Sequence, residues 1–309
     1  MTPFGYQRSA TADQIVGYAG APGETEYFKQ TDSTMTDADL RKEIESAHGL
    51  GMKVLMKPHI WSRDFWSGQE WHGSVRQEDA AAHDRWWASY RALILHYARL
   101  SQEADADALC IGTELVKMTE GRAKAWRGLI ADVREVYDGL LTYAAHWERE
   151  VDQVTFWDDL DAIGVSAYFP LKAPNDPTVA QLVEAWQPHR ARLAKLHQRY
   201  DRPVVFLEVG YRDVADAHRE PWVHRGGKAN GAAQANAFEA LFEAWTDARW
   251  WRGVFIWKTF TDPTRAHRRG DGTGHSFRGK PAEQVIRKWF ELTSDALAEP
   301  DDPGGTDGG

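Results

Sequence analysis

The chain is poor in the residues that build covalent or metal staples. Its single cysteine, Cys110, excludes an internal disulfide and a cysteine-built zinc site. None of its twelve histidines falls in an HxH or HExxH pair, so no local metal-ligand signature is present. No apolar run approaches the roughly 20 residues needed to cross a bilayer, which argues against a membrane partner. A basic start followed by an apolar stretch, the mark of a signal peptide, does not open the sequence. Cations are also in deficit: 37 Lys and Arg against 46 Asp and Glu give a net charge of −9. Phosphates want clustered cations, so nucleic acid is disfavoured as a partner. The sequence leaves localisation and oligomeric state unknown.

What remains is a globular chain of 309 residues with 42% hydrophobic and 27% charged residues, and an excess of rings. It holds 15 Trp, 10 Tyr and 12 Phe. The tryptophans inside helical patterns (Trp86, Trp126, Trp245 and Trp289) are expected to be core rings. Others are expected to line a cleft with flat apolar faces of the kind that suit sugars.

Short apolar runs alternate with long helical patterns. The runs are Lys53–Met56, Ala108–Ile111, Leu140–Ala144, Ala162–Ala167, Pro203–Leu207 and Gly253–Ile256. Each is hydrophobic throughout, as expected of parallel strands buried on both faces. Between them the spacing predicts helices near Glu78–Ser101, Gly121–Tyr137, Val179–Tyr200, Ala232–Asp247 and Ala282–Leu292. Thr36 and Asp39 form a capping box ahead of Leu40 and Ile44. Strand alternating with helix predicts an α/β fold of the (β/α)8 barrel type.

Six strands are visible where a closed barrel has eight. Met1–Arg8 reads as the tail of a further strand, so an incomplete barrel is expected, from a chain that starts late. One barrel domain over residues 1–295 and a disordered, Gly-, Pro- and Asp-rich tail over 296–309 are expected.

Working residues of such folds lie at the C-terminal ends of strands. That rule selects Lys57 and His59; Thr113 and Glu114; His146, Trp147 and Glu148; Tyr168; Glu208, Tyr211 and Arg212; and Trp257 and Lys258. Glu114 and Glu208 stand out. A carboxylate directly after an apolar strand is costly unless it is solvated, paired or used. Paired carboxylates serve glycoside hydrolysis, in which a neutral one protonates the departing oxygen and an ionised one attacks the anomeric carbon or activates water. Lys57 and Tyr168 are candidate donors to keep the second one ionised.

The segments GMKVLMKPHIW, CIGTEL, SAYFPL, FLEVGYR and FIWKTFTD together resemble glycoside hydrolase family 113, of the clan of retaining (β/α)8-barrel enzymes. The matches run in order from about Met1 to Asp262. The resemblance implies a β-1,4-mannanase-like glycosidase acting on a carbohydrate, with Glu114 as acid/base and Glu208 as nucleophile and with no metal or organic cofactor. It places Thr113 where the clan commonly has an Asn that binds the sugar 2-hydroxyl. It also implies an aromatic floor at Trp257 and a hydroxyl on the nucleophile from Tyr168. His146, Trp147, Lys57, His59 and Trp61 would line subsites, with Tyr211 and Lys258 among the substrate-binding candidates. Tyr6, Gln7 and Arg8 are what an absent first strand pair would leave at the cleft. The rival readings are a non-catalytic carbohydrate-binding barrel and a metal-dependent barrel hydrolase. Gly274–Lys280 has phosphate-loop spacing, but Pro281 stands where Ser or Thr would ligate magnesium, so it reads as a turn.

Overall fold

The apolar runs of the sequence become strands. In the computed structural model, which describes residues 1–18, 35–62, 64–65, 68–224, 226–258 and 273–298, they are β1 (Phe4–Tyr6), β2 (Leu55–Met56), β3 (His59–Trp61), β4 (Ala108–Thr113), β5 (Leu140–His146), β6 (Ala162–Ser166), β7 (Val204–Val209) and β8 (Trp251–Ile256). The helices are α1 (Asp37–Gly49), α2 (Ala80–Glu103), α3 (Val116–Thr119), α4 (Ala123–Arg134), α5 (Glu150–Gln153), α6 (Val179–Tyr200), α7 (Gly231–Trp245) and α8 (Pro281–Ala298). Strands β2, β4, β5, β6, β7 and β8 lie side by side in that order, and β1 pairs with β3. The pairings β1–β3, β2–β4, β4–β5, β5–β6 and β6–β7 are all parallel. This is the α/β architecture expected from the sequence.

Two compact units make up the chain. The first comprises Met1–Ala167, Leu193–Glu208 and Trp250–Val254, and holds most of the sheet. Within it, β2 and β3 are two pieces of one run. Pro58 between them has no N–H to give to a ladder, so the strand is interrupted there. On either side of that proline, Lys57 N donates to Met1 O (2.8 Å) and His59 N to Pro3 O (2.9 Å). The sequence reading stopped this strand at Met56. The structure carries it on to Trp61, beside the predicted strand tail at Phe4–Tyr6.

The sheet of this unit is curled. Strands β2 and β7 are four inter-strand steps apart, which on a flat sheet would be about 19 Å. Yet Leu55, Cys110, Ala144 and Leu207, from β2, β4, β5 and β7, form one buried cluster. Only a barrel-like bend brings β2 and β7 to the same interior.

Helices cover the outer face of the sheet in this unit. The expected capping box is formed: Asp39 N donates to Thr36 Oγ1 at 3.1 Å and Thr36 N to Asp39 Oδ2 at 3.3 Å. Helix α2 buries Trp86, Tyr90, Leu93, Ile94 and Tyr97, positions three and four apart that share one face. Trp86 stacks on Tyr90 (4.8 Å between centroids), and Trp126 of α4 stacks on Phe156 (5.4 Å).

The second unit comprises Tyr168–Arg192, Val209–Arg249 and the described residues from Phe255 on. In it, Trp186 and Trp245 meet edge to face at 5.6 Å. Trp289 departs from the expectation of a core ring. It is only half-buried, lies flat on Phe242 and donates from Nε1 to Glu239 (3.0 Å). The Gly274–Lys280 segment is a turn, and Lys280 pairs with Asp213 at 3.0 Å. Helix α8 continues to Ala298, and residues 299–309, most of the expected tail, lie outside the described residues.

Gly164 in the middle of β6 is sterically required. A β-carbon there would lie 2.4 Å from the Tyr143 carbonyl oxygen and 2.5 Å from Leu207 Cδ1. Gly164→Ala is expected to cost about 1–3 kcal/mol, the usual penalty of overpacking. A urea titration with an unchanged midpoint would contradict this.

Candidate active site

Register carries the candidate residues to one end of the curled sheet. Thr113 of β4 lies opposite Ala144 of β5, His146 opposite Ser166 of β6, and Ser166 opposite Glu208 of β7. Glu114 is the first residue past β4. Its backbone sits in the left-handed region (φ 52°), and its N–H donates to Ala144 O at 2.8 Å. A non-glycine residue held there costs about 1–3 kcal/mol and persists only where its surroundings impose it.

Glu208 is the ion-paired one of the two. Its carboxylate is hydrogen-bonded to Lys57 Nζ, and His59 Nε2 stands 3.6 Å from the same oxygen. The Lys57 side chain is 6% exposed and that of Glu208 12%, so the pair is well removed from water. A carboxylate so placed is sustained by its counter-ion. His59 is kept neutral: burial, reinforced by the Lys57 charge, holds its imidazole well below the usual range.

Glu114 has the opposite environment. Among the described residues no cation forms an ion pair with it. Burial pushes its carboxyl up to about 8, and the negative charges of Glu208 and then Glu150 add to the rise. The Lys57 charge opposes it only in part. Of two carboxyl groups at one set of strand ends, one is therefore ion-paired and the other raised, the kind of difference by which a site can divide acid from base or nucleophile.

Rings gather around this pair. His59 is flanked by Phe4 (5.6 Å) and His72 (5.7 Å). Trp61 packs on Phe65 and His72. His146 lies between Trp147 (5.2 Å) and Trp71 (4.8 Å), whose indole is 39% exposed. A serine clasp fixes Trp71: its N–H donates to Ser74 Oγ (2.8 Å), which donates back to Trp71 O (2.7 Å).

Sequence reasoning missed His72, Trp71, Ser166 and Glu150. Ser166 could have been found, since it ends a strand. His72 and Trp71 lie in a loop with no periodic signal, and Glu150 sits in the polar stretch WERE that reads as solvated surface.

Two of the N-terminal candidates are core residues. Gln7 is fully buried in the core, where its Oε1 accepts from Trp86 Nε1 (3.2 Å), and Tyr6 is also buried. Thr113 is buried at the last position of β4. Tyr168, Tyr211, Trp257 and Lys258 belong to the second unit. There Tyr211 is 1% exposed and packs edge to face on Phe238 of α7 at 5.3 Å. Trp257 N donates to Val209 O (2.7 Å), and Lys258 Nζ lies 5.0 Å from the Trp257 ring centroid. A β-carbon on Gly210 would collide with the Trp257 carbonyl oxygen, so the chain passes there only without a side chain. Among the described residues no group of three or more His, Cys, Asp and Glu could hold a metal, and no helix is long and apolar enough to cross a membrane.

A parallel, curled α/β sheet thus carries two glutamates in unlike surroundings, with rings beside them, at its strand ends. The chain belongs to Glycoside Hydrolase Family 113, whose profile matches residues 15–280, and it is accordingly a glycosidase. Among solved structures it is similar to a family 113 β-1,4-mannanase complex, at 26% identity over 94% of this chain and 86% of that one, with a TM-score of 0.77. It is also similar to the family 113 β-mannanase of Alicyclobacillus acidocaldarius in complex with ManMIm, at 27% identity over 93% and 85%, with a TM-score of 0.75. A β-glucuronidase from Ruminococcus gnavus, 13% identical over 80% of this chain and 41% of that one (TM-score 0.53), shares the fold alone. No curated protein matches the chain.

Removing the lysine from the buried pair strands a carboxylate in low dielectric. Lys57→Met is expected to lower stability by about 3–5 kcal/mol, as for other buried pairs broken on one side. A loss under about 1 kcal/mol in chemical denaturation would show that the pair is hydrated after all.

Proposed function

We propose that the chain hydrolyses β-1,4-mannan with retention of anomeric configuration, by double displacement between Glu208 and Glu114. The observation that carries the reading is the unequal charging of these two groups: Glu208 is paired with Lys57, while Glu114 is held protonated by burial and by neighbouring carboxylates. Glu208 attacks the anomeric carbon as Glu114 gives its proton to the departing glycosidic oxygen. The C–O bond breaks and a glycosyl ester to Glu208 forms. Glu114, now ionised, takes a proton from water, whose oxygen attacks the same carbon and releases Glu208.

Three further features support this reading. Both glutamates end parallel strands on one rim, where barrels place their chemistry. Exposed and half-buried rings at His146, Trp147 and Trp71 offer flat surfaces beside them. The preference for mannan is supported by the family 113 structures the chain resembles, two of which are titled β-1,4-mannanase.

The tests are direct. Mannan oligosaccharides are expected to be cleaved in preference to glucan and xylan oligosaccharides, and proton NMR is expected to show the β-anomer as first product. An α-anomer appearing first would contradict double displacement. Because Glu114 must carry its proton, kcat/KM is expected to fall as pH rises through about 8. Glu114→Gln is expected to lose about 10²–10⁴-fold in rate, the usual worth of a general acid. A binding-only protein would show no hydrolysis to lose.

A further inference from the structure

We infer that Glu150 is a positioning residue for the acid/base glutamate: its buried carboxylate fastens the turn that carries Glu114 and keeps a negative charge behind it. The inference rests on the reading of Glu114 as the acid.

Glu150 opens α5, four residues beyond the end of β5, and is 1% exposed. A carboxylate there is expensive unless several donors meet it. Three do. Tyr143 Oη donates to Oε1 at 2.6 Å, Thr119 Oγ1 reaches the same oxygen at 2.9 Å, and His146 N donates to Oε2 at 2.8 Å. The Tyr143 hydroxyl also accepts from Leu115 N at 2.8 Å. Leu115 is the residue after Glu114, so this hydrogen bond grips the peptide that leaves the left-handed turn. Through Tyr143 and Thr119 the carboxylate ties the segment after β4 to the end of β5.

Anchoring of the Tyr143 and Thr119 hydroxyls does not require a charge, since the single amide oxygen of a glutamine could accept from both, although its nitrogen could not accept from His146 N. The charge has its own consequence. The groups that act on Glu114 are Glu208 and Lys57, the Ser166 hydroxyl on β6, and Glu150 behind it. Around Glu150 stand Tyr143 of β5, Tyr90 of α2, which feels its charge, Thr119 of α3 and the His146 amide. The His146 ring is kept neutral by burial. No cation among these faces Glu150. Burial pushes its own carboxyl up to about 7, against the pull of its three donors. It is therefore largely ionised in the pH range where Glu114 gives up its proton, and it holds that proton on.

The experiment is the pH dependence of kcat/KM for the full chain and three variants. In Glu150→Gln, which removes the charge but keeps one acceptor oxygen for Tyr143 and Thr119, the alkaline limb is expected to move to lower pH by about one unit, the order of effect of losing one nearby like charge. Glu150→Asp, which restores the charge, is expected to bring the limb back toward the wild-type position even where kcat stays low. Tyr143→Phe releases Leu115 and is expected to lower kcat at least about tenfold, with a much smaller change in KM. A folded Glu150→Gln protein whose limb has not moved would overturn the inference. So would Tyr143→Phe with wild-type kcat, a readout that stands even if Glu150→Gln fails to fold. Glu114→Gln separates the two readings: if it retains the alkaline limb and most of the rate, the assignment of Glu114 has failed, whatever Glu150 does.

Discussion

Two carboxyl groups that share one low-dielectric rim cannot both be charged without a cation to divide between them. Here the cation is Lys57, and it is given wholly to one: its ammonium is hydrogen-bonded to Glu208. Glu114 receives only the distant part of that charge, and desolvation and the neighbouring carboxylates Glu208 and Glu150 raise it. Everything chemical in the site follows from this unequal division. On the proposed reading, the glutamate with a counter-ion is the one that attacks, whereas the one without keeps a proton to donate. Histidines nearby are held neutral, so they add hydrogen-bonding groups without adding a competing charge.

The fold makes that division possible by curling. Lys57 and Glu208 stand four strand steps apart in the sheet order, and only curvature lets their side chains meet. Small residues accommodate the bend where strands crowd, and Gly164 leaves no room for a methyl group against Tyr143 and Leu207. At the end of β4 the backbone turns left-handed at Glu114, an arrangement costly for a side-chain-bearing residue. It is held from both sides: the Glu114 amide is bonded to Ala144, and the Leu115 amide to Tyr143. Strain at the acid and hydrogen bonding behind it are thus parts of one construction.

Much of this was legible in the sequence because parallel strands buried on both faces read as unbroken apolar runs. Those runs located β2 and β4 to β8, although β8 is only partly buried, and the polar residues at their ends gave Lys57, Glu114 and Glu208. Legibility failed where tertiary context overrode a local rule. Pro58 reads as a stop, yet the strand resumes at His59 because β1 pairs with it beyond the gap. Gln7 reads as a polar rim residue, but its amide meets the indole of a buried tryptophan from α2. Trp289 reads as core, yet α8 presents it half to solvent. Glu150 follows Trp147 in a run of charges, and nothing local reveals that three donors, two from β5 and one from α3, converge on it. The two glutamates were visible by position, and the groups packed around them were not.

The central claim is that Glu114 is a neutral acid in the resting protein. It is tested most directly by carbon NMR of the protein labelled at glutamate carboxyls, with the Glu114 resonance assigned as the one lost in Glu114→Gln. At pH 6.5 the account predicts that this resonance lies at the chemical shift of a protonated carboxyl and moves only as the pH is taken toward and beyond 8. A resonance already at the ionised position at pH 6.5 would contradict it.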